Sequence, residues 1–401
     1  MHISKETSWI MREIPDPTPY IPFVYSERDC ELFKTYYPDS AHVRIPLQHA
    51  KRLVPLLPSK PKKWIDAEID GLKPVLDSSP YKKYVEAFKH YESIADEGFI
   101  SRPSPAIVQE FTNSVLDTCL AFKPSLVSVP QLPMPAGNKR NKINRELAKA
   151  TAEWASAKGF SGTLILPVIF THQNQLSKKT IRNPRVALVR QCYDAAKARG
   201  VWIIDSSLVD QDGAKTLESR FRALIDLHQE IADALPPTSI VGGPYWGLNI
   251  LLWSKGLIKY PAITLGNRSR YYLPGGRAQL PNTRVALSPL KRWAVVKPEL
   301  RAWLTDALKA VPPTDPAHIE FAELSQRFSS LLRDDNREQI CRSYRAWLDS
   351  LSSVSQNGRA LTLYQQLSSA YVLGKSLADL PEEGPAKRPE RIAQQLMLFC
   401  L

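Results

Sequence analysis

The chain has 401 residues, 43% of them hydrophobic and 23% charged, which is the balance of a globular protein large enough for a barrel and a smaller second unit. No stretch reaches the roughly 18 uninterrupted apolar residues of a membrane span, and the start Met1-His2-Ile3-Ser4-Lys5-Glu6 lacks the apolar core of a secretion signal, so a cytoplasmic location without membrane contact is expected. Lys and Arg outnumber Asp and Glu by 53 to 40, and the net charge of +13 suggests a polyanionic partner, nucleic acid being the commonest.

In chain order, residues 1–41 are rich in Pro and Tyr and are expected to wrap the N-terminal side of a domain that begins at residue 42. From there, short β-branched runs alternate with amphipathic stretches, the pattern of parallel strands joined by crossover helices. Eight strands are predicted: His42–Leu47, Trp64–Gly71, Ser125–Val129, Thr163–Phe170, Val201–Asp205, Ser239–Gly243, Pro261–Leu265 and Arg284–Leu287. Between them, 142–158, 185–199, 216–234 and 247–256 carry apolar residues at helical spacing. Eight strands at this rhythm predict an α/β protein with a (β/α)8 barrel, of the TIM type, over residues 42–297. An open doubly wound sheet is the alternative.

Beyond 297 the strands cease. Residues 298–311, 319–333, 336–354, 359–377 and 388–399 read as helices of a C-terminal annex, 298–401, through which a protein partner or a second copy could dock. The five cysteines are scattered with no C-x-x-C pair, and the seven histidines show no H-E-x-x-H spacing. Neither a disulfide framework nor a metal site is expected, and no other cofactor is suggested.

In a barrel the active site lies where strands run into the following helices. Those connections are basic here: Lys139 and Arg140 after the third predicted strand, Lys178 and Lys179 after the fourth, Arg268 and Arg270 after the seventh. These are candidate phosphate ligands. In Trp64–Gly71 the period of two puts Asp66, Glu68 and Asp70 on one face. If that face is inward, crowding of like charge could make Asp66 a general acid; an ordinary wet strand face reads equally well. Asp205 ends its strand at a catalytic position, or caps the next turn. His172 and Gln173 could orient a substrate. In Gly242-Gly243-Pro244-Tyr245-Trp246-Gly247, the glycines let backbone approach an anion or base, and the two rings could stack on one.

Taken together, residues 60–275 resemble the tRNA-guanine transglycosylase superfamily, including its DNA-modifying branch. The segment "KPKKWIDAEIDG" is similar to that family's Asp-Ser-Gly strand end, which implies Asp66 as the acid/base. "FKPSLVSVPQLPMPA", containing Gln131, stands where the family reads its base, and "GTLILPVIFTHQ" where it has a Gln-Gly strand end. "TSIVGGPYWGLNILLWSKGLIKYPAITLGNRSR" resembles its Gly-rich turn, helix and final strand, with Asn267 before the basic loop. The stretch Pro261–Asn267 has no aspartate where the family has its nucleophile, and the zinc-binding cysteines are absent. The resemblance implies a nucleic-acid- or nucleotide-binding barrel, with DNA or tRNA as partner, that cleaves or exchanges an N-glycosidic bond. The alternative is a catalytically inactive subunit that binds nucleic acid and docks a partner through its helices.

Overall fold

The computed structural model describes residues 19–67, 80–84, 104–134, 141–170, 175–206, 208, 217–236, 239–265, 284–332, 336–380 and 388–400. Eight parallel strands close into a barrel in chain order: β1 (Ile21–Phe23), β2 (His42–Pro46), β3 (Lys62–Asp66), β4 (Leu126–Ser128), β5 (Thr163–Phe170), β6 (Gly200–Asp205), β7 (Ser239–Gly242) and β8 (Tyr260–Thr264). Closure is made by β1 on β8, with Ile21 opposite Ala262 and Phe23 opposite Thr264, which rules out the open sheet.

Two strand assignments differ from the sequence reading. The first strand, Ile21–Phe23, lies in the segment expected to wrap the barrel, so the barrel begins before residue 42. Arg284–Leu287 is not the eighth barrel strand. As β9 it pairs antiparallel with β10 (Arg292–Val295) in a separate hairpin.

Along each strand the side chains alternate between two cores. On β6, Val201 and Ile203 face the outer helices, whereas Trp202 and Ile204 point into the lumen. The lumen is filled by Phe23, Trp64 and Trp202, whose rings meet edge to face at 5.1 to 5.9 Å, with Leu126, Ile165, Ile169 and Val241 around them. Both faces of a strand are therefore buried, which is why β5 reads as one apolar run. The lumen is packed core rather than a channel.

Around the barrel stand α1 (Glu27–Tyr36), α2 (Leu47–Leu53), α3 (Pro105–Leu120), α4 (Asn141–Ala157), α5 (Lys179–Ala196), α6 (Leu217–Ala234) and α7 (Trp246–Ser254). Ser26 starts α1 with a capping box, accepting from the Asp29 N–H while Asp29 accepts from the Ser26 N–H. Helix α5 starts six residues upstream of the predicted position and carries Pro184 inside it. Helix α7 is apolar all round, and all nine of its residues are buried, because barrel strands lie on one side and later helices on the other.

After residue 297 every element the structure describes is a helix, as the sequence predicts for a C-terminal helical annex. Helices α8 (Pro298–Ala310), α9 (Pro316–Gln326) and α10 (Phe328–Leu331) share a small second core with the β9–β10 hairpin, built on Val285, Leu287, Leu300, Trp303, Phe321 and Phe328. Helix α11 (Arg337–Ser352) belongs to the barrel: Ile340, Tyr344, Trp347 and Leu348 join the main core. It packs against α1, with the Tyr37 hydroxyl donating to Cys341 O at 3.1 Å, and against α7, with the Tyr344 ring 5.0 Å from Trp246. It thus takes the place of the eighth outer helix. Residues 284–332 lie in the chain between β8 and that helix. Two further helices, α12 (Gln356–Ser376) and α13 (Arg391–Met397), close over α7.

Candidate active site

At the C-terminal end of the lumen, β2 and β3 bring Arg44 and Asp66 together, both fully buried. The Arg44 guanidinium donates from Nε to Asp66 Oδ2 at 2.7 Å and from Nη2 to the same oxygen, and from Nη1 to the Tyr25 hydroxyl at 2.7 Å. Its carbon lies 4.6 Å from the Phe23 ring centre, 4.8 Å from Trp202 and 5.3 Å from Tyr25. Delocalised charge on aromatic faces favours Arg over Lys at such a position. Asp66 therefore points inward, as the period of two allows, and the charged neighbour it meets among the described residues is the Arg44 cation. Glu68 and Asp70 lie outside the described residues. Asp66 Oδ1 has no hydrogen-bond partner among the described residues. Beneath it, the Trp64 indole N–H donates to Ser128 Oγ at 2.8 Å.

Asp205 faces the other way, out of the lumen toward α6. Arg220 grips its two oxygens at 2.6 to 3.1 Å, and the Asp205 N–H donates to the Tyr245 hydroxyl. This buried pair ties the start of α6 to the end of β6. Gln131 is buried and donates to Pro130 O and Asn144 O, fastening the connection after β4 to α4.

The Gly242–Gly247 turn is also built inward. Gly243 has φ +84°, and a β-carbon there would collide with the Asn249 amide and Tyr245 N. The positive φ, the Tyr245 backbone and Asn249, whose Nδ2 donates to Ala262 O at 2.7 Å, together require glycine there. Tyr245 is buried, and burial pushes its hydroxyl well above the usual range. Trp246 donates to Lys291 O at 3.1 Å and packs at a tilt against the Tyr344 ring. Neither ring is free to stack on a base.

Behind Gly242 sits His228 of α6, fully buried, with Nδ1 2.7 Å from Leu224 O. Burial lowers its pKa from 6.5 to about 4, so the folded protein holds it neutral where the unfolded chain binds a proton. The resulting stability is fully present above about pH 6.5 and is lost as pH falls toward 4, roughly 3 kcal/mol over that window. Urea melts between those limits should show this slope, and His228→Leu should flatten it. An identical slope in the variant would rule the histidine out as its source.

Lys178 and Lys179 are exposed at the start of α5, where the sequence placed phosphate ligands. The start of α4 adds exposed Lys142 and Arg145, and the start of α6 adds Arg222. These three helices are neighbours around the barrel. Neither α4 nor α5 has an acidic residue in its first turn, and α6 has only Glu218. Cations there oppose the helix dipole, which favours anions at that end. Between α5 and α6 a cleft of about 460 Å³ is lined by Ser177, Arg182, Glu218, Ser219, Arg222 and Asp226. Arg182 is already engaged by Glu230, Asp226 and Leu176 O. Lys139, Arg140, His172, Gln173, Asn267, Arg268 and Arg270 lie outside the described residues.

Among the described residues, no three His, Cys, Asp or Glu side chains are grouped to hold a metal, and no helix is long and apolar enough to cross a membrane. All five cysteines are free and buried, and burial pushes the Cys192 and Cys400 thiols up to about 12. No protein-family model matches the sequence, and no curated protein matches it. Arg44 and Tyr25 are the site residues that sequence reasoning missed. The signal for Arg44 was available: one guanidinium alternating with Val43 and Ile45 in a buried strand.

Proposed function

We propose that this barrel binds nucleic acid, DNA or tRNA, or a nucleotide, on the rim formed by the starts of α4, α5 and α6. The observation that carries this reading is the run of exposed cations there, Lys142, Arg145, Lys178, Lys179 and Arg222, on the face where barrels bind ligands. Cleavage or exchange of an N-glycosidic bond, the activity implied by the resemblance to tRNA-guanine transglycosylases, would draw on Asp66, whose Oδ1 carries no hydrogen bond among the described residues. Asp205 is committed to Arg220, and Tyr245 and Trp246 to the fold, which favours a binding subunit over a base-exchanging enzyme.

Anisotropy titrations with labelled single-stranded DNA and tRNA test the binding. If roughly six to ten phosphates are neutralised, affinity should fall about a thousandfold or more between about 50 and 200 mM salt. Lys178→Gln with Lys179→Gln should lower the slope of log affinity against log salt by about two. Absence of binding at low salt, or binding indifferent to salt, would defeat the proposal.

A further inference from the structure

We infer that the mouth of the barrel, between β3 and β4, binds an uncharged carboxamide, whose N–H is accepted by Asp66 Oδ1 and whose carbonyl accepts from the Ser128 hydroxyl. An arginine commonly grips a carboxylate with one N–H on each oxygen. Here Arg44 sends both Nε and Nη2 to Asp66 Oδ2, and Oδ1 is left with no hydrogen-bond partner among the described residues. Asp66 is fully buried, and a bare carboxylate oxygen out of water is costly until a donor meets it. Ser128 is the complementary case. It too is fully buried, and its Oγ accepts from the Trp64 indole, which leaves the hydroxyl's own proton to be given to an acceptor. Trp64 pairs with Leu126 and Ile65 with Val127, so one step further along both strands Asp66 and Ser128 stand side by side. They are not bonded to each other. The end of the lumen therefore presents one acceptor and one donor on neighbouring strands.

Charge and valence set the chemistry of the occupant. Only one oxygen of Asp66 is available, so a guanidinium, an amidinium or a vicinal diol, each of which binds a carboxylate through both, loses half its bonds. A cation would also meet the Arg44 guanidinium, already on the same carboxylate, at close range, and an anion would meet the bare oxygen. The occupant is therefore neutral. A carboxamide carries one donor and one acceptor on adjacent groups of a single plane, which matches the Asp66–Ser128 pair. Access lies on the β1 and β8 side, where Tyr25 and Thr264 are half-buried and the Tyr25 hydroxyl accepts from Arg44 Nη1 at 2.7 Å. Ile169 and Ile204 supply an apolar wall within the lumen, on which the body of an amide can lie. No cation of the basic rim takes part, so the site goes beyond the nucleic-acid reading and does not depend on it.

Titration of the full chain with benzamide, benzoate, benzamidine and N,N-dimethylbenzamide tests this, read at the indole N–H resonance of Trp64, whose acceptor is Ser128 Oγ. The first three share a ring and differ in charge, and the fourth has no N–H. Benzamide should move that resonance with a dissociation constant of about 1 mM, in keeping with so small a ligand. The other three should bind at least tenfold more weakly, the dimethyl compound because Oδ1 then stays bare. Raising salt from about 50 to 200 mM should leave benzamide binding unchanged, which separates this site from the salt-dependent rim, so that either can fail alone. Ser128→Ala should weaken benzamide at least tenfold; if that variant does not fold, the four ligands on the wild type decide alone. A Trp64 resonance that benzamide does not move, as when a water alone satisfies Oδ1, overturns the inference. So does a dimethyl or charged analogue that binds as tightly as benzamide, or a folded Ser128→Ala that binds it like the wild type.

Discussion

Replacing Arg44 by methionine should destabilise the protein by about 3–5 kcal/mol, because it strands a buried carboxylate without its counter-ion. Asp66 is fully buried, and the guanidinium makes the only hydrogen bonds its Oδ2 has among those the structure describes. Methionine fills much of the space between Phe23, Tyr25 and Trp202, so the loss would report charge rather than a cavity. Adding Asp66→Asn to Arg44→Met should restore a large part of the stability, since the pair is then replaced by uncharged groups of similar volume. Urea melts of the wild type, both single variants and the double variant measure the coupling. A single-variant loss below about 1 kcal/mol, or a double variant no better than Arg44→Met, would mean that the pair is not what holds the mouth of the barrel.

The same pair shows how far the sequence could be read. That Asp66 lies on the strand face opposite Ile65 follows from alternation, which a sequence displays, whereas which face turns inward does not. Its partner depends on the register between strands, Arg44 opposite Trp64, which no local pattern encodes. The barrel itself was legible because parallel strands buried on both faces leave apolar runs such as Thr163–Phe170, separated by amphipathic helices. The first strand was not, because Ile21–Phe23 is three residues with a central proline and is defined only by its pairing to β2 and β8. Arg284–Leu287 has the composition of a barrel strand, and only its partner β10 assigns it elsewhere. Asp205 and the Tyr245–Trp246 rings can each be read two ways, because a polar or aromatic group at a strand end suits a ligand site and a buried brace equally well. The Arg220 that pairs with Asp205 lies fifteen residues on, at the start of the next helix. A strand-end acid followed by a base in the next helix's first turn is a signal that favours the brace.

Deleting residues 387–401 should have the other large effect, and for a reason that lies within one chain. Ile392, Ala393 and Leu396 of α13 are fully buried, and Phe399 and Cys400 nearly so. Leu396 lies so close to α7 that a β-carbon at Gly247 would fall 2.5 Å from it, and the Arg222 guanidinium rests 5.2 Å from the Phe399 ring centre. Gly374 of α12 lets the chain pass so closely that a β-carbon there would lie 2.6 Å from Glu390 Cα. The tail thus covers α7, whose apolar outer side would otherwise face water. At roughly 1.5–3 kcal/mol for each of Ile392, Leu396 and Phe399, the deletion should remove on the order of 5 kcal/mol or more. That is a large part of the roughly 5–15 kcal/mol that holds a domain folded. A melting temperature lowered by on the order of 10 °C, with loss of solubility as α7 is uncovered, is expected. Single substitutions locate the effect: Leu396→Ala should cost about 2–5 kcal/mol, and Leu398→Ala, more than half exposed, close to nothing. Thermal melts of the deletion and both variants decide the matter. If the truncated chain melts with the wild type, α13 does not cover the barrel in solution. If Leu398→Ala costs as much as Leu396→Ala, the tail is packed on its other face.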